Sequence, residues 1–227
     1  QTITKAGAMF THEDAITLDE IPKWAGRGAY KLLRAFEVFG LDVRDKTCAD
    51  FGASTGGFTD VMLNYGARKV YAVDVGYGQL IWRLASDSRV VVMDRTNARN
   101  LTRSDFPDEI YFAGCDVSFI SLRLILPVLD DVVRDGAVVL IKPQFEAGRG
   151  RISRGVVRDK SVHVDVIGGI LQFIHDNTNF TVKGLTYSPV RGAEGNIEFL
   201  CYVGRGGNDV NFDVNDIVNE AHENTER

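Results

Sequence analysis

Apolar residues fall along this chain in short blocks, and the spacing within each block separates helix from strand. Leu32, Leu33, Phe36 and Phe39 recur at helical spacing, and Gly40 follows as a helix stop. They predict a first helix over 28–39. Compact, β-branched apolar runs then recur at 47–51, 70–74, 89–93, 110–115, 137–142, 180–187 and 196–203. Helical stretches fit between the first five runs at 57–66, 77–86 and 121–134, and residues 161–176 supply another. Strands that alternate with helices predict a doubly wound, mostly parallel α/β sheet of seven strands. Only the turn-rich Ser188-Pro189-Val190-Arg191-Gly192-Ala193-Glu194-Gly195 separates the last two runs. A link with no helix predicts that the final strand is antiparallel.

Ligand sites in such sheets lie beyond the C-terminal ends of the strands. The first run ends in Asp50 and passes into Phe51-Gly52-Ala53-Ser54-Thr55-Gly56-Gly57-Phe58, and the second ends in Asp74-Val75. Glycines let backbone approach a ligand, and an acid after the second strand can hold ribose hydroxyls. The glycines lack the G-x-G-x-x-G spacing that seats a pyrophosphate on a helix N-terminus. Asp50, at the turn itself, would repel a pyrophosphate and attract a cation. S-adenosylmethionine offers an ammonium, a sulfonium and a ribose, so the turn predicts that cofactor. A mostly parallel sheet with an antiparallel strand near its end is also the Rossmann-like sheet of methyltransferases that use it.

Other strand ends add chemistry. Asp94, with Asn97 just beyond it, follows the third run at a position suited to an adenine edge. Asp116 ends the fourth, Lys142 ends the fifth before Pro143, and Glu198 interrupts the last. A glutamate in an apolar strand needs a nearby cation, and Lys31 on the first helix is a second candidate. A lone Asp–Lys pair is as readily a structural ion pair. Two lysines and two acids together suit deprotonation of a ribose hydroxyl, with a lysine as base and the acids as orienters.

Composition narrows the rest. The chain has 227 residues, 44% of them hydrophobic, enough for one substantial core. No run approaches the roughly 18 apolar residues of a membrane span, and no basic-then-apolar leader opens the chain. Cys48, Cys115 and Cys201 all sit in apolar runs, which predicts core thiols in a cytoplasmic protein. The net charge is −5, and residues 209–227 hold six acids against one base, so the remainder is neutral. Within that remainder, residues 142–160 carry six bases against two acids. Arg149, Arg151 and Arg154 lie there, in a loop placed to contact RNA phosphates, and Arg27 precedes Lys31. Phe119 and Phe145 are candidates for base stacking or for core, Trp82 reads as packing, and the scattered histidines are assigned to no metal.

Several runs resemble the hemolysin A (TlyA) family of FtsJ-like ribosomal RNA ribose 2′-O-methyltransferases. They are Gly26-Arg27-Gly28-Ala29-Tyr30-Lys31-Leu32, Asp50 to Asp60, Val73 to Leu80, Arg95-Thr96-Asn97-Ala98-Arg99, Asp116 to Leu122, Lys142-Pro143-Gln144-Phe145-Glu146 and Gly195-Asn196-Ile197-Glu198-Phe199. The resemblance implies a catalytic tetrad of Lys31, Asp116, Lys142 and Glu198. It implies a cofactor site from Asp50, Gly52 to Phe58, Asp74, Val75, Asp94, Asn97 and Asp116. It also implies 2′-O-methylation of cytidine, with ribosomal RNA or ribosomal subunits as partner. An N-terminal S4-type RNA-binding domain belongs to the pattern, so residues 1–22 read as its remnant or a linker. Residues 23–205 then form the methyltransferase domain, and 206–227 an acidic tail or helix. A cytolysin, a methyltransferase for a non-RNA substrate and a dinucleotide oxidoreductase are the alternatives. The missing leader, span and cationic amphipathic helix argue against the first and against stable membrane association.

Overall fold

The computed structural model describes residues 23–225, with the backbone alone at Arg149, and its seven strands pair into one sheet. Strands β1 (Thr47–Phe51), β2 (Lys69–Val73), β3 (Val90–Met93), β4 (Ile110–Cys115), β5 (Val133–Ile141), β6 (Phe180–Tyr187) and β7 (Phe199–Arg205) lie in the order β3-β2-β1-β4-β5-β7-β6. The first five are mutually parallel, and β7 runs antiparallel between β5 and β6. The strand order reverses between β1 and β4, and a crevice opens there at the carboxyl ends.

Both faces of the sheet are covered, which is why the central strands are apolar throughout rather than alternating. Helices α1 (Gly28–Phe39) and α2 (Gly57–Asn64) pack Leu32, Phe36, Phe58 and Met62 against Val70, Val138, Leu140 and Leu200. Helices α4 (Leu126–Val132) and α6 (Lys160–Asn177) pack Leu126, Leu129, Ile167 and Ile170 against Phe51, Val139, Ile141 and Phe199. Along β5, Val138 and Leu140 serve one core and Val139 and Ile141 the other, as the two-residue strand period requires. A Cβ on Gly57 would lie 2.8 Å from the Ala29 nitrogen, so this glycine lets α1 approach α2 and brings Lys31 over the sheet end.

Several boundaries differ from expectation. The predicted helix over 77–86 contracts to α3 (Trp82–Ala85), because Asp74 and Asp94 capture the Gly76 and Gly78 amides in a loop. The predicted helix over 121–134 splits into a 3₁₀ turn (Leu122–Leu124) and α4, with Pro127 early in the second piece. The chain enters β5 at Val133, four residues before the predicted start, and pairs Val133 with Ile110. Strand β7 begins at Phe199, so Glu198 immediately precedes it rather than lying within it.

The acidic end is more than a solvated tail. Helix α7 (Val214–Asn224) buries Val218 and Ala221, and His222 Nε2 lies 2.9 Å from His163 Nδ1 on α6. Burial and then the neighbouring His222 push His163 down to about 4. All three cysteines are free and buried. Among the described residues no helix is long and apolar enough to cross a membrane. The expectations for residues 1–22, His12 among them, lie outside the described residues.

Candidate active site

Four polar side chains from four distant segments meet at the carboxyl edge of the sheet. Lys31 reaches down from α1 and donates from Nζ to Glu198 Oε2 at 2.7 Å and to Asp116 Oδ2 at 3.2 Å. Lys142 follows β5 and places Nζ 2.6 Å from Asp116 Oδ1, while donating to Ser118 Oγ at 2.8 Å. Asp116 therefore bridges the two ammonium groups. Glu198 is 2% exposed and accepts a second bond from Gln144 Nε2 at 3.1 Å. Both lysines are buried and face the two carboxylates. Burial opposes the charge on Lys31, yet the carboxylates of Asp116 and Glu198 outweigh it and hold its pKa above the ordinary lysine value.

These four residues line a cavity of about 660 Å³ with Arg27, Gly28, Gly52, Ser54, Thr55, Gly57, Phe58, Gln144 and the loop Val190–Glu194. A second cavity of about 490 Å³ shares Gly52, Ser54, Asp116, Ser118 and Phe119 with the first, so the two adjoin at the β1 turn. Its other walls are Asp74, Val75, Gln79, Thr96, Asn97, Ala98, Val117, Ile120 and Ile125. Gly52 has φ +87°, and a Cβ there would sit 2.7 Å from the Asp116 carbonyl oxygen. Any side chain would collide with the Asp116–Val117 backbone where the two cavities adjoin. Asp74 accepts from Ser54 N at 2.8 Å and Gly76 N at 2.7 Å, which fixes its carboxylate at the mouth of the second cavity.

Not every predicted residue faces these cavities. Asp50 is fully buried beneath the turn and lines neither cavity. Its Oδ2 accepts from Thr59 N at 2.8 Å and Thr59 Oγ1 at 2.7 Å and so caps α2, while its Oδ1 is buried without a partner among the described residues. Burial pushes it up to about 7, since the Thr59 bonds do not offset the desolvation. Gly56 is absent from both linings; it starts α2, and a Cβ on it would strike Leu80 and Leu84. Asp94 accepts from Gly78 N at 2.9 Å and shapes the loop rather than a cavity wall. Ala53 lies in the first cavity and Asn97 in the second, the latter also capping the Arg99 amide.

Of the arginines, Arg27 lines the first cavity. Arg151 pairs with Asp165 on α6, whereas Arg154 is exposed in a left-handed turn with φ +48°. Ile152 and Gly155 of this loop line the first cavity, and of Arg149 only the backbone is described. Phe119 is 90% exposed with φ +63°, a backbone region a bulky residue rarely adopts, and its ring sits 5.2 Å from Phe145. Trp82, expected to pack, is 82% exposed. Sequence reasoning overlooked Gln144, Arg191 and Asn196. Asn196 is buried and ties Val157 N, Gly155 O and Ala193 O together, clasping the two loops over the cavity.

Comparison with known proteins agrees with this geometry. YqxC of Bacillus subtilis, named as an rRNA methyltransferase, is 44% identical over 97% of this chain and 82% of its own length. The 16S/23S rRNA (cytidine-2′-O)-methyltransferase TlyA of Mycobacterium tuberculosis is 42% identical over 83% of this chain and 71% of its own. A Streptococcus thermophilus protein described as a hemolysin superposes with a TM-score of 0.86 at 47% identity, covering 90% of this chain and 76% of that one. The profile of FtsJ-like methyltransferases matches residues 24–205. On that match, and on relatives above 40% identity that share most of its length, the chain belongs to the FtsJ-like methyltransferase family.

Proposed function

We propose that this protein transfers a methyl group from S-adenosylmethionine to the 2′-hydroxyl of a cytidine ribose in ribosomal RNA. The observation that carries this reading is the convergence of Lys31, Asp116, Lys142 and Glu198 on one cavity, against the glycine turn that opens a second. The names of the relatives supply the substrate class. Residues 23–205 are the catalytic domain, and helix α7 lies in the acidic segment that follows it. The reaction belongs in the cytosol, with ribosomal RNA or a ribosomal subunit as partner.

The second cavity suits the cofactor. Asp74 would hold ribose hydroxyls, Val75, Asn97, Ile120 and Ile125 would flank the adenine, and Gly52 to Ser54 would receive the amino-acid end. When bound, S-adenosylmethionine supplies an electrophilic methyl on a sulfonium. The chain's own residues do the rest. Lys142, as the free amine, takes the proton from the 2′-hydroxyl at Nζ, and Asp116 Oδ1 at 2.6 Å stabilises the ammonium that forms. Lys31 stays protonated, because its two carboxylate partners hold its pKa above the ordinary value. It thereby holds Glu198 and Asp116 in place. Positioning of nucleophile and methyl supplies the larger part of the rate. Arg27 and Arg154 contact RNA phosphates. The strained, exposed Phe119, backed by Phe145, offers a ring for the target base.

The test uses methyl-labelled S-adenosylmethionine and unmodified ribosomal RNA. Lys142→Ala is expected to lose transfer by about 10²–10⁴-fold, with calorimetric cofactor binding retained and unfolding still cooperative, though at a lower melting temperature for want of the Asp116 pair. Full activity in that variant would overturn the assignment of the base.

A further inference from the structure

Residues 75–82 expose apolar surface that the fold does not use. Trp82 is 82% exposed, Tyr77 71% and Val75 69%. The packing of this segment is met by its neighbours, since Leu80 and Leu84 press on Gly56. Tyr77 is nevertheless held in place. The Arg95 guanidinium lies 4.4 Å from its ring centroid, and Arg95 N donates to Gly76 O at 2.8 Å. Asp74 and Asp94 fix the Gly76 and Gly78 amides on either side of it. The carboxylates near this stretch are engaged, Asp74 and Asp94 by backbone amides. Asp60 is taken by Arg83 and the Ala25 amide, and Asp87 by Arg89. Arg27, Arg95 and Arg99 form no ion pair among the described residues. The surface is continuous with the reaction cleft, because Ile81 N donates to Thr55 O at 3.2 Å and Thr55 lines the first cavity.

Rigid exposed aromatic faces beside unpaired arginines match one kind of ligand, unpaired nucleotides, whose bases stack while their phosphates meet guanidinium groups. We propose that Tyr77, with Arg95 on its ring, and Trp82 form a stacking platform for a single-stranded segment of the substrate RNA outside the reaction cavity. The proposal rests on the RNA reading above. It assigns to this face the task of holding sequence that flanks the methylated nucleotide.

Trp82 can report directly. The chain has two tryptophans, so Trp24→Phe, checked by its melting temperature and by retained methyl transfer, leaves Trp82 as the sole emitter. Unmodified ribosomal RNA is expected to quench its fluorescence and shield it from acrylamide. Heparin, a polyanion without bases, and S-adenosylmethionine alone are expected to leave it unchanged. In the otherwise native chain, Tyr77→Ala and Trp82→Ala should each raise KM for RNA by at least about fivefold, the loss of a stacked base. Neither should change kcat or cofactor affinity. The platform is refuted by an unchanged signal with RNA, equal quenching by heparin, quenching by the cofactor alone, or shielding from acrylamide in the free protein. Wild-type methylation of ribosomal RNA without RNA quenching would refute the platform alone. Quenching by RNA with no ribose methylation would instead refute the functional reading and leave an RNA-binding face.

Discussion

Replacing Lys31 by methionine strips Glu198 of its cation, and the structure sets the size of the loss. Nζ and Oε2 are 2.7 Å apart, with side-chain exposures of 10% and 2%. At an effective dielectric of about 20, Coulomb's law gives an attraction of about 6 kcal/mol at that separation. Desolvation of both groups offsets part of it, and removal of one partner from a buried pair costs about 3–5 kcal/mol. For a domain of this size that lowers the melting temperature by about 6–20 °C. Chemical denaturation at pH 7.5 should show the loss. Lys31→Met with Glu198→Gln should recover more than half, since the charge is then gone. In the wild type, the raised pKa of Lys31 contributes stability that is fully present below the unfolded lysine value, about 10.4. That contribution is lost as pH rises through the folded value. A Lys31→Met protein within about 1 kcal/mol of wild type, or a double variant no more stable than the single one, would refute the reasoning.

Asp50 gives a second pH signature. Its pKa is raised to about 7 against an unfolded value of about 3.9, so its contribution to stability is present below pH 4 and lost as pH rises toward 7. Asp50→Asn should flatten that part of the stability–pH curve, which amounts to up to about 4 kcal/mol by denaturant titration. Gly192→Ala would place a Cβ 2.1 Å from Glu198 Oε1. It should cost about 1–3 kcal/mol and reduce methyl transfer, with calorimetric cofactor affinity unchanged. Asp74→Ala should instead weaken cofactor binding about tenfold, the worth of one or two charge-assisted hydrogen bonds, while RNA affinity holds.

The strands and the four converging residues were legible because each depends on a local signal. Apolar runs mark strands that are buried on both faces, and Asp116 and Lys142 follow such runs directly. Glu198 was legible for a different reason, as a charge among apolar residues that needs a partner. Lys31 was placed by helical spacing. What stayed hidden depends on direction rather than position. Asp50 ends its strand as expected, but its side chain turns under the glycine loop to cap α2, which no spacing reveals. Trp82 occupies an apolar position in a short pattern, and only the loop made by Asp74 and Asp94 shows that Leu80 and Leu84 do the packing. Gln144 reaches Glu198, and Asn196 reaches Val157 and Gly155, across tens of positions, and spacing along the chain does not reveal such pairings.

The Lys31–Asp116–Lys142–Glu198 cluster is proposed to direct a methyl to a ribose oxygen. Unmodified ribosomal RNA treated with the protein and S-adenosylmethionine, then digested and mapped by mass spectrometry, tests it most directly. The expected product is 2′-O-methylcytidine at defined positions, resistant to alkaline hydrolysis at the adjoining phosphate, and none with Lys142→Ala. Methylation on a base, or no methylation of RNA by a protein that binds the cofactor, would contradict it.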